Sequence, residues 1–446
     1  MTLDFPPGPR GPVFFGSLFD LQRDILSFIS GSVRDYGDVV GFRILGKPFC
    51  LLGSPDGIER VLVRDADRFI KSADYRKLAW VVGNGLLTSQ GELWKRQRKL
   101  AQPIFHNDRV KAYVPIFVRH AEQAAASWQS SGEVDVHEGM MRLALLVVSE
   151  TLFHSAVESD VEAIGRALGV MSCAFDGFPF PFWIPLPRHV HSWIHLRRLN
   201  TIVDRFIDDR IKSHQSGGDS NDRGDLLDLL LAARDDEGRP MSRRQLRDEL
   251  MTIFLAGHET TAIALSFTLW LIARHEAVQD KLRDEWDRVL SGRPVTAADI
   301  PQLPYTKAVL QESMRLYPPA WFLGRETRDN YQLGDYRLPR GTTLFLCPYL
   351  LHRDARYFPD PEQFQPERWL AAAERTTPRY AYFPFGAGPR SCIGAGFAML
   401  EMTAVLPTLL RKLNLRPVSD DPLDLIPAIT LRPRHGLRMT VEPLGP

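Results

Sequence analysis

Residues 383–400 read Phe-Pro-Phe-Gly-Ala-Gly-Pro-Arg-Ser-Cys-Ile-Gly-Ala-Gly-Phe-Ala-Met-Leu, and they constrain the fold more than any other stretch. Gly386, Gly388, Pro389 and Gly394 deny this segment regular helix or strand geometry, so it must form a tight, bulged loop. From Ala395 to about Lys412 the residues turn apolar and helical. Cys392 therefore stands just before a helix N-terminus, where backbone N–H groups and the helix dipole are expected to lower its pKa and keep it as thiolate. A thiolate held so rigidly suits a metal ligand. The competing reading is a small buried hydrophobe behind a glycine turn.

Three other constellations ask for partners. Trp94 and Arg98 lie at i, i+4 in the basic helical segment 92–102, so an indole N–H and a guanidinium share one face and suit one carboxylate. Lys95, Arg96 and Lys99 point elsewhere and form a basic face. The longest helical pattern, 242–275, opens with a Ser242/Gln245 capping box and would span roughly 50 Å. Its apolar middle carries Ala256-Gly257-His258-Glu259-Thr260-Thr261. Burying Glu259 alone would cost several kcal/mol, so the acid needs a network or a role. His258-Glu259 does not begin a zinc-protease H-E-x-x-H, because residue 262 is alanine. Glu312 and Arg315, at i, i+3, can pair on one helix face.

Phe385-Gly386-Ala387-Gly388-Pro389-Arg390-Ser391-Cys392-Ile393-Gly394 resembles, without a missing position, the haem-binding loop of the cytochrome P450 haem-thiolate monooxygenases. The resemblance extends over about residues 6–437, with motifs close to the fatty-acid-hydroxylase and microsomal branches. It implies a mainly α fold with small β-sheets, a single haem domain over 1–446 and no fused reductase. Cys392 would be the fifth ligand of a haem b iron, with Phe385 in the loop beneath it. Arg390, Trp94, Arg98 and Arg325 would hold the propionates. Gly257, beside Ala256, would let the long helix approach the haem and open there. Thr260 and Glu259 would handle and relay protons at bound O2. Glu312, Arg315 and Arg368 would form a scaffolding cluster. The implied substrate pocket, lined by Trp80, Val81, Phe178, Phe254, Ala320, Trp321, Phe322 and Ile429, carries no charge and suits a fatty acid, terpenoid or steroid. A peroxygenase or isomerase, or a haem protein without turnover, are the alternatives.

Composition narrows the remaining possibilities. A formal net charge of +1 over 446 residues gives no reason to expect nucleic acid. Cys50, Cys173, Cys347 and Cys392 are too scattered for a disulfide framework or a structural zinc site, which fits a reducing cytoplasm. His189, His191 and His195 lack a carboxylate or thiol at ligand spacing and read as a surface helix start. The proline-rich start argues against a signal peptide, and the apolar stretch 169–187 is broken by Asp176 and prolines, so no membrane span is expected. No G-x-G-x-x-G opens a strand–helix unit, so no flavin or nicotinamide domain is recognisable, and the resemblance implies electrons from a separate ferredoxin or flavodoxin with its reductase. That partner is expected to dock on the basic face of Lys95, Arg96 and Lys99, and the chain is expected to be a monomer. Short helices are expected at 25–36 and 55–63, a hairpin at 39–52, and irregular chain at 72–88.

Overall fold

The computed structural model describes residues 5–153, 163–167, 169–170, 187–215, 225–370 and 377–444. Cys173, Phe178 and the segment 216–224 lie outside the described residues.

The helix Arg243–Ala273 runs through the core, and Ser242 caps it by accepting the Gln245 N–H. It is apolar on nearly every side, which demands neighbours all round. Val136–Phe153, Pro304–Leu316 and Ala395–Leu410 supply them. Among the described residues it is the one helix long and apolar enough to cross a membrane, and 78% of its apolar window is buried inside the protein. It is a core helix.

The hairpin falls where the sequence places it. Strands Val39–Ile44 and Lys47–Leu52 pair antiparallel about Leu45 and Gly46, whose φ values of 49° and 77° give the left-handed turn that matches strand twist. Lys47–Leu52 then lies parallel to Thr343–Leu346, which continues through Leu323–Thr327 to the edge strand Phe69–Lys71. Through Leu323–Thr327 this sheet brings Leu323 and Arg325 to the cavity beside the long helix.

Two expectations change. Residues 72–88 are not irregular throughout, because Ala73–Val82 forms a helix ended by Gly83 at φ 75°. The long helix does not open at Gly257 either: it stays α-helical across 256–261, and the Thr260 hydroxyl donates to the Ala256 carbonyl at 2.5 Å.

Candidate active site

The cysteine loop is fixed by contacts only glycine permits. Gly386 and Gly388 have φ of 68° and 67°, and a Cβ on Gly388 would lie 1.9 Å from the Leu62 carbonyl oxygen. The Cys392 N–H donates to the Phe385 carbonyl at 2.9 Å, closing the loop before the helix Ala395–Leu410. Cys392 and Phe385 face a cavity whose opposite wall is the long helix. The expected acidic thiol is not what the surroundings dictate. Burial pushes the Cys392 thiol up, and the Gly394 N–H and the Arg98 charge offset only part of that. A metal bound in the cavity would favour the thiolate.

Lys71, Arg98, Arg325 and Arg390 line the same cavity. Each donates to a backbone carbonyl: Lys71 to Leu87, Arg98 to Ser391 at 2.8 Å, Arg325 to Gly324 at 3.0 Å and Arg390 to Ser89 at 2.8 Å. Among the described residues none of them pairs with a carboxylate. Burial, then Arg325 and Arg390, hold the Lys71 ammonium well below its usual range. Burial, then Arg325 and Arg98, bring Arg390 down to about 10. Arg390 also stacks over Trp94, 3.8 Å from the ring centroid. Like charges gathered in a dry wall repel unless an anion joins them. A flat ligand with two carboxylates on one edge, directly above a thiol, meets that need, so these residues fit haem b. Lys71 is absent from the sequence motifs because it belongs to the edge strand of a sheet, far along the chain from its fellow cations.

Opposite the sulfur, the long helix presents Glu249, Thr252, Ile253, Ala256, Gly257 and Thr260, the i, i+3, i+4, i+7 spacing of one face. A Cβ on Gly257 would meet only Val148 at 3.5 Å, so the protein itself does not demand glycine there. Counting backward by helical period from Thr260 would have found Glu249, whose Oε2 accepts the Leu86 N–H at 2.9 Å. Burial pushes the Glu249 carboxyl up to about 7. Glu259 lies off this face. Its Oε1 accepts from the Thr430 hydroxyl at 2.7 Å and lies 3.9 Å from Arg432 Nε.

The same periodicity corrects most of the pocket. Phe254 is off the cavity face and stacks on Phe153, 5.4 Å between centroids. Trp80 is 69% exposed on the outer side of its helix, while Val81 is buried in the main core. Trp321 is buried and donates from Nε1 to the Ala428 carbonyl at 2.8 Å. Phe322 packs between Trp321 and Phe345, and Ile429 packs against the main core. Of the described residues expected in the pocket, Ala320 lines the cavity; the neighbours Leu86, Leu87, Val148, Pro319 and Leu323 take the places of the others.

Glu312 is buried and carries its cluster. Arg315 donates from Nε and Nη2 to its two oxygens, both at 2.9 Å. Arg368 Nε at 2.9 Å and Trp369 Nε1 at 2.8 Å complete it. The basic face is not a free cationic patch. Lys95 pairs with Glu92 at 2.7 Å, Arg96 with Asp235 at 2.7 Å and Lys99 with Asp236 at 2.6 Å. Asp235 and Asp236 follow the helix Leu226–Ala232, a juxtaposition the linear sequence hides. His191 and His195 lie in the helix Pro187–Gln215, and among the described residues no His, Cys, Asp and Glu cluster could hold a metal ion.

Comparison with known proteins agrees with this geometry. The family model described as cytochrome P450 matches residues 6–439. Cyclooctatin synthase from Streptomyces melanosporofaciens is 35% identical, over 98% of this chain and 94% of its own. The cyclooctat-9-en-7-ol 5-monooxygenase of the same organism is 32% identical, over 92% of this chain and 89% of its own. A cyanobacterial P450 solved with retinoic acid bound superposes with a TM-score of 0.90 at 26% identity, covering 100% of both chains. With a cysteine loop, a cationic wall and a whole-length match in common, the chain belongs to the cytochrome P450 family and is a haem b monooxygenase.

Proposed function

We propose that the enzyme inserts one oxygen atom into a terpenoid or similarly lipophilic substrate, using electrons from a separate ferredoxin or flavodoxin in the cytoplasm. The carrying observation is that apolar side chains, Leu86, Leu87, Val148, Ile253, Ala320 and Leu323, dominate the lining beyond the cationic wall, with Glu249, Thr252 and Thr260 among its polar groups. Such a wall cannot offset the desolvation of a charged ligand, whereas it accepts a hydrocarbon body. The relative that acts on cyclooctat-9-en-7-ol supports a hydrocarbon frame with a hydroxyl.

When bound, haem would supply the oxygen activation, and the Cys392 thiolate would supply it with electron density. The chain supplies the rest. Cys392 is presented by the Gly386–Gly388 turn as the iron ligand. Lys71, Arg98, Arg325 and Arg390 gather the propionates, and Trp94 buttresses Arg390. Thr260 Oγ1 is the hydroxyl facing the reacting side, and Glu259 is the acid that restores its proton. Spectral titration of the loaded protein against terpenoids, fatty acids, steroids and small charged compounds tests the reading. Micromolar binding confined to terpenoid-like compounds is expected. Micromolar binding of a small charged compound with no response to any lipid contradicts it.

A further inference from the structure

Among the described residues that line the cavity, Glu249 is the one carboxylate, and it is 2% exposed. Its Oε2 accepts the Leu86 N–H at 2.9 Å, whereas Oε1 is buried and has no hydrogen-bond partner among the described residues. A buried acceptor left unmade is unfavourable, so such an oxygen at a cavity wall marks a place for a ligand group. The threonines of the same wall do not meet the need. Thr252 donates to the Asp248 carbonyl at 2.8 Å, Thr151 to Val147 at 2.9 Å and Thr260 to Ala256 at 2.5 Å, so each spends its hydrogen on its own helix.

The acid is held in place by the loop it binds. A Cβ on Gly85 would stand 2.2 Å from Thr252 Oγ1 and 2.4 Å from the Asp248 carbonyl oxygen, so the loop lies directly on the long helix. The Asn84 N–H donates to Asp248 Oδ2 at 2.8 Å, and Gln97 Nε2 donates to the Asn84 carbonyl at 2.7 Å. Glu249 therefore has one oxygen tethered and one to offer. The helix rises about 1.5 Å per residue, which sets Glu249 roughly 16 Å from Thr260 along its axis.

Resting on the proposed lipophilic substrate, we propose that Glu249 is a specificity-determining residue that anchors a hydroxyl group of that substrate, at the end of its hydrocarbon frame remote from the part beside Thr260. The chemistry of the acid selects the hydroxyl. Burial pushes the Glu249 carboxyl up to about 7, so both of its forms are present near neutral pH, and its charged neighbour Asp248 is itself paired with Arg247. The carboxylate accepts a hydroxyl hydrogen through Oε1. The acid, with Oε2 engaged by Leu86, donates from Oε1 to the hydroxyl oxygen. A ketone or aldehyde answers only the acid, and a hydrocarbon answers neither form. An ammonium group would enter a cavity already lined by Lys71, Arg98, Arg325 and Arg390.

Spectral titration of the haem-loaded protein at pH 8, where the carboxylate prevails, tests the anchor. The probes are dehydroabietinol, cholestanol and hexadecanol, each beside its carbonyl analogue and its parent hydrocarbon. In at least one set the alcohol is expected to bind about ten- to a hundredfold more tightly than the other two members. Glu249→Gln keeps an oxygen for the Leu86 N–H and turns an amide N–H to the cavity, so the advantage of alcohol over carbonyl should fall to about one- to twofold with an unfolding midpoint near the parent's. Equal affinities for alcohol and carbonyl compound in the parent overturn the proposal. An unchanged ratio in Glu249→Gln also overturns it, since an acid that only supports the loop would show that pattern, and so does the lack of a spectral response to every set. Alcohol preference confined to cholestanol or hexadecanol removes the terpenoid reading and keeps the anchor; diterpenoid binding that ignores the hydroxyl keeps the reading and removes the anchor.

Discussion

The two walls of the haem cavity are built by opposite rules. The cysteine wall is over-determined: Gly388 has no room for a side chain, Cys392 is closed by Phe385, and Glu312 locks the chain that leads into the loop through Arg315, Arg368 and Trp369. The opposite wall is a helix face plus borrowed segments, namely the 83–89 loop and residues 319–323, tied in by contacts to parts distant in the chain, such as the Asn84 and Leu86 N–H bonds to Asp248 and Glu249 and the Trp321 bond to Ala428. The difference teaches that the part which sets the chemistry is rigid and local, whereas the part that sets the substrate is assembled from distant pieces.

The largest effect should come from breaking the rigid side. Glu312→Ala leaves the Arg315 and Arg368 guanidiniums without their buried carboxylate, at a cost of about 3–5 kcal/mol. Denaturant unfolding should show this loss together with lost haem. Stability near the parent's would mean that the cluster is dispensable.

Glu401 probes the same side through pH. It is buried on the helix Ala395–Leu410, and desolvation pushes its carboxyl from 4.5 up to about 8. The folded state holds the proton more tightly than the unfolded chain, so stability is greatest below 4.5 and is lost as pH rises through 8. Glu401→Gln should remove this slope and exceed the parent at pH 8.5 by roughly 2 kcal/mol, allowing for partial relaxation. Denaturation at pH 5 and pH 8.5 checks both sign and size; parallel pH profiles would contradict it.

Two substitutions sharpen the contrast on the substrate side. Phe322→Ala should cost roughly 2 kcal/mol, because the ring is packed against Trp321 and Phe345, yet leave the oxidised position unchanged. Leu87→Phe should do the reverse, changing product regiochemistry with little change in unfolding midpoint. Product analysis beside thermal melts separates them, and a shifted product from Phe322→Ala would return that ring to the pocket.

Lys71→Met gives the smallest stability change, and its sign depends on the ligand. In the haem-free chain it relieves repulsion with Arg325 and Arg390 and should stabilise by about 1 kcal/mol. In the loaded protein it removes a propionate partner, so haem should transfer to apomyoglobin about tenfold faster, or roughly 1.4 kcal/mol. The same sign in both states would show that the lysine is not a haem contact.

The legibility of the sequence follows this division. The cysteine loop, the long helix with its Ser242 cap, the Leu45–Gly46 hairpin and the pairing of Glu312 with Arg315 are each encoded within a few neighbouring residues. Lys71 and the Asp235 and Asp236 partners of the basic face were hidden because their contacts depend on tertiary closure. Phe254 and Trp321 are core and Phe322 is partly buried against it, because helix face and strand side, not position along the chain, decide which side chains reach the cavity. At Cys392 desolvation by the surrounding protein opposes the helix terminus, a balance set by tertiary packing rather than by neighbouring residues.

The central claim is that Cys392, rather than either of the other described cysteines, would ligate the haem iron as thiolate. Cys50 and Cys347 are buried in other clusters, and burial pushes both thiols up to about 12. The direct measurement is the absorption spectrum of the reduced carbon monoxide complex in the parent and in Cys392→Ala. The red-shifted, thiolate-type Soret band should be present in the parent and absent from the variant. Its persistence in Cys392→Ala, in protein that still binds haem, would contradict the assignment.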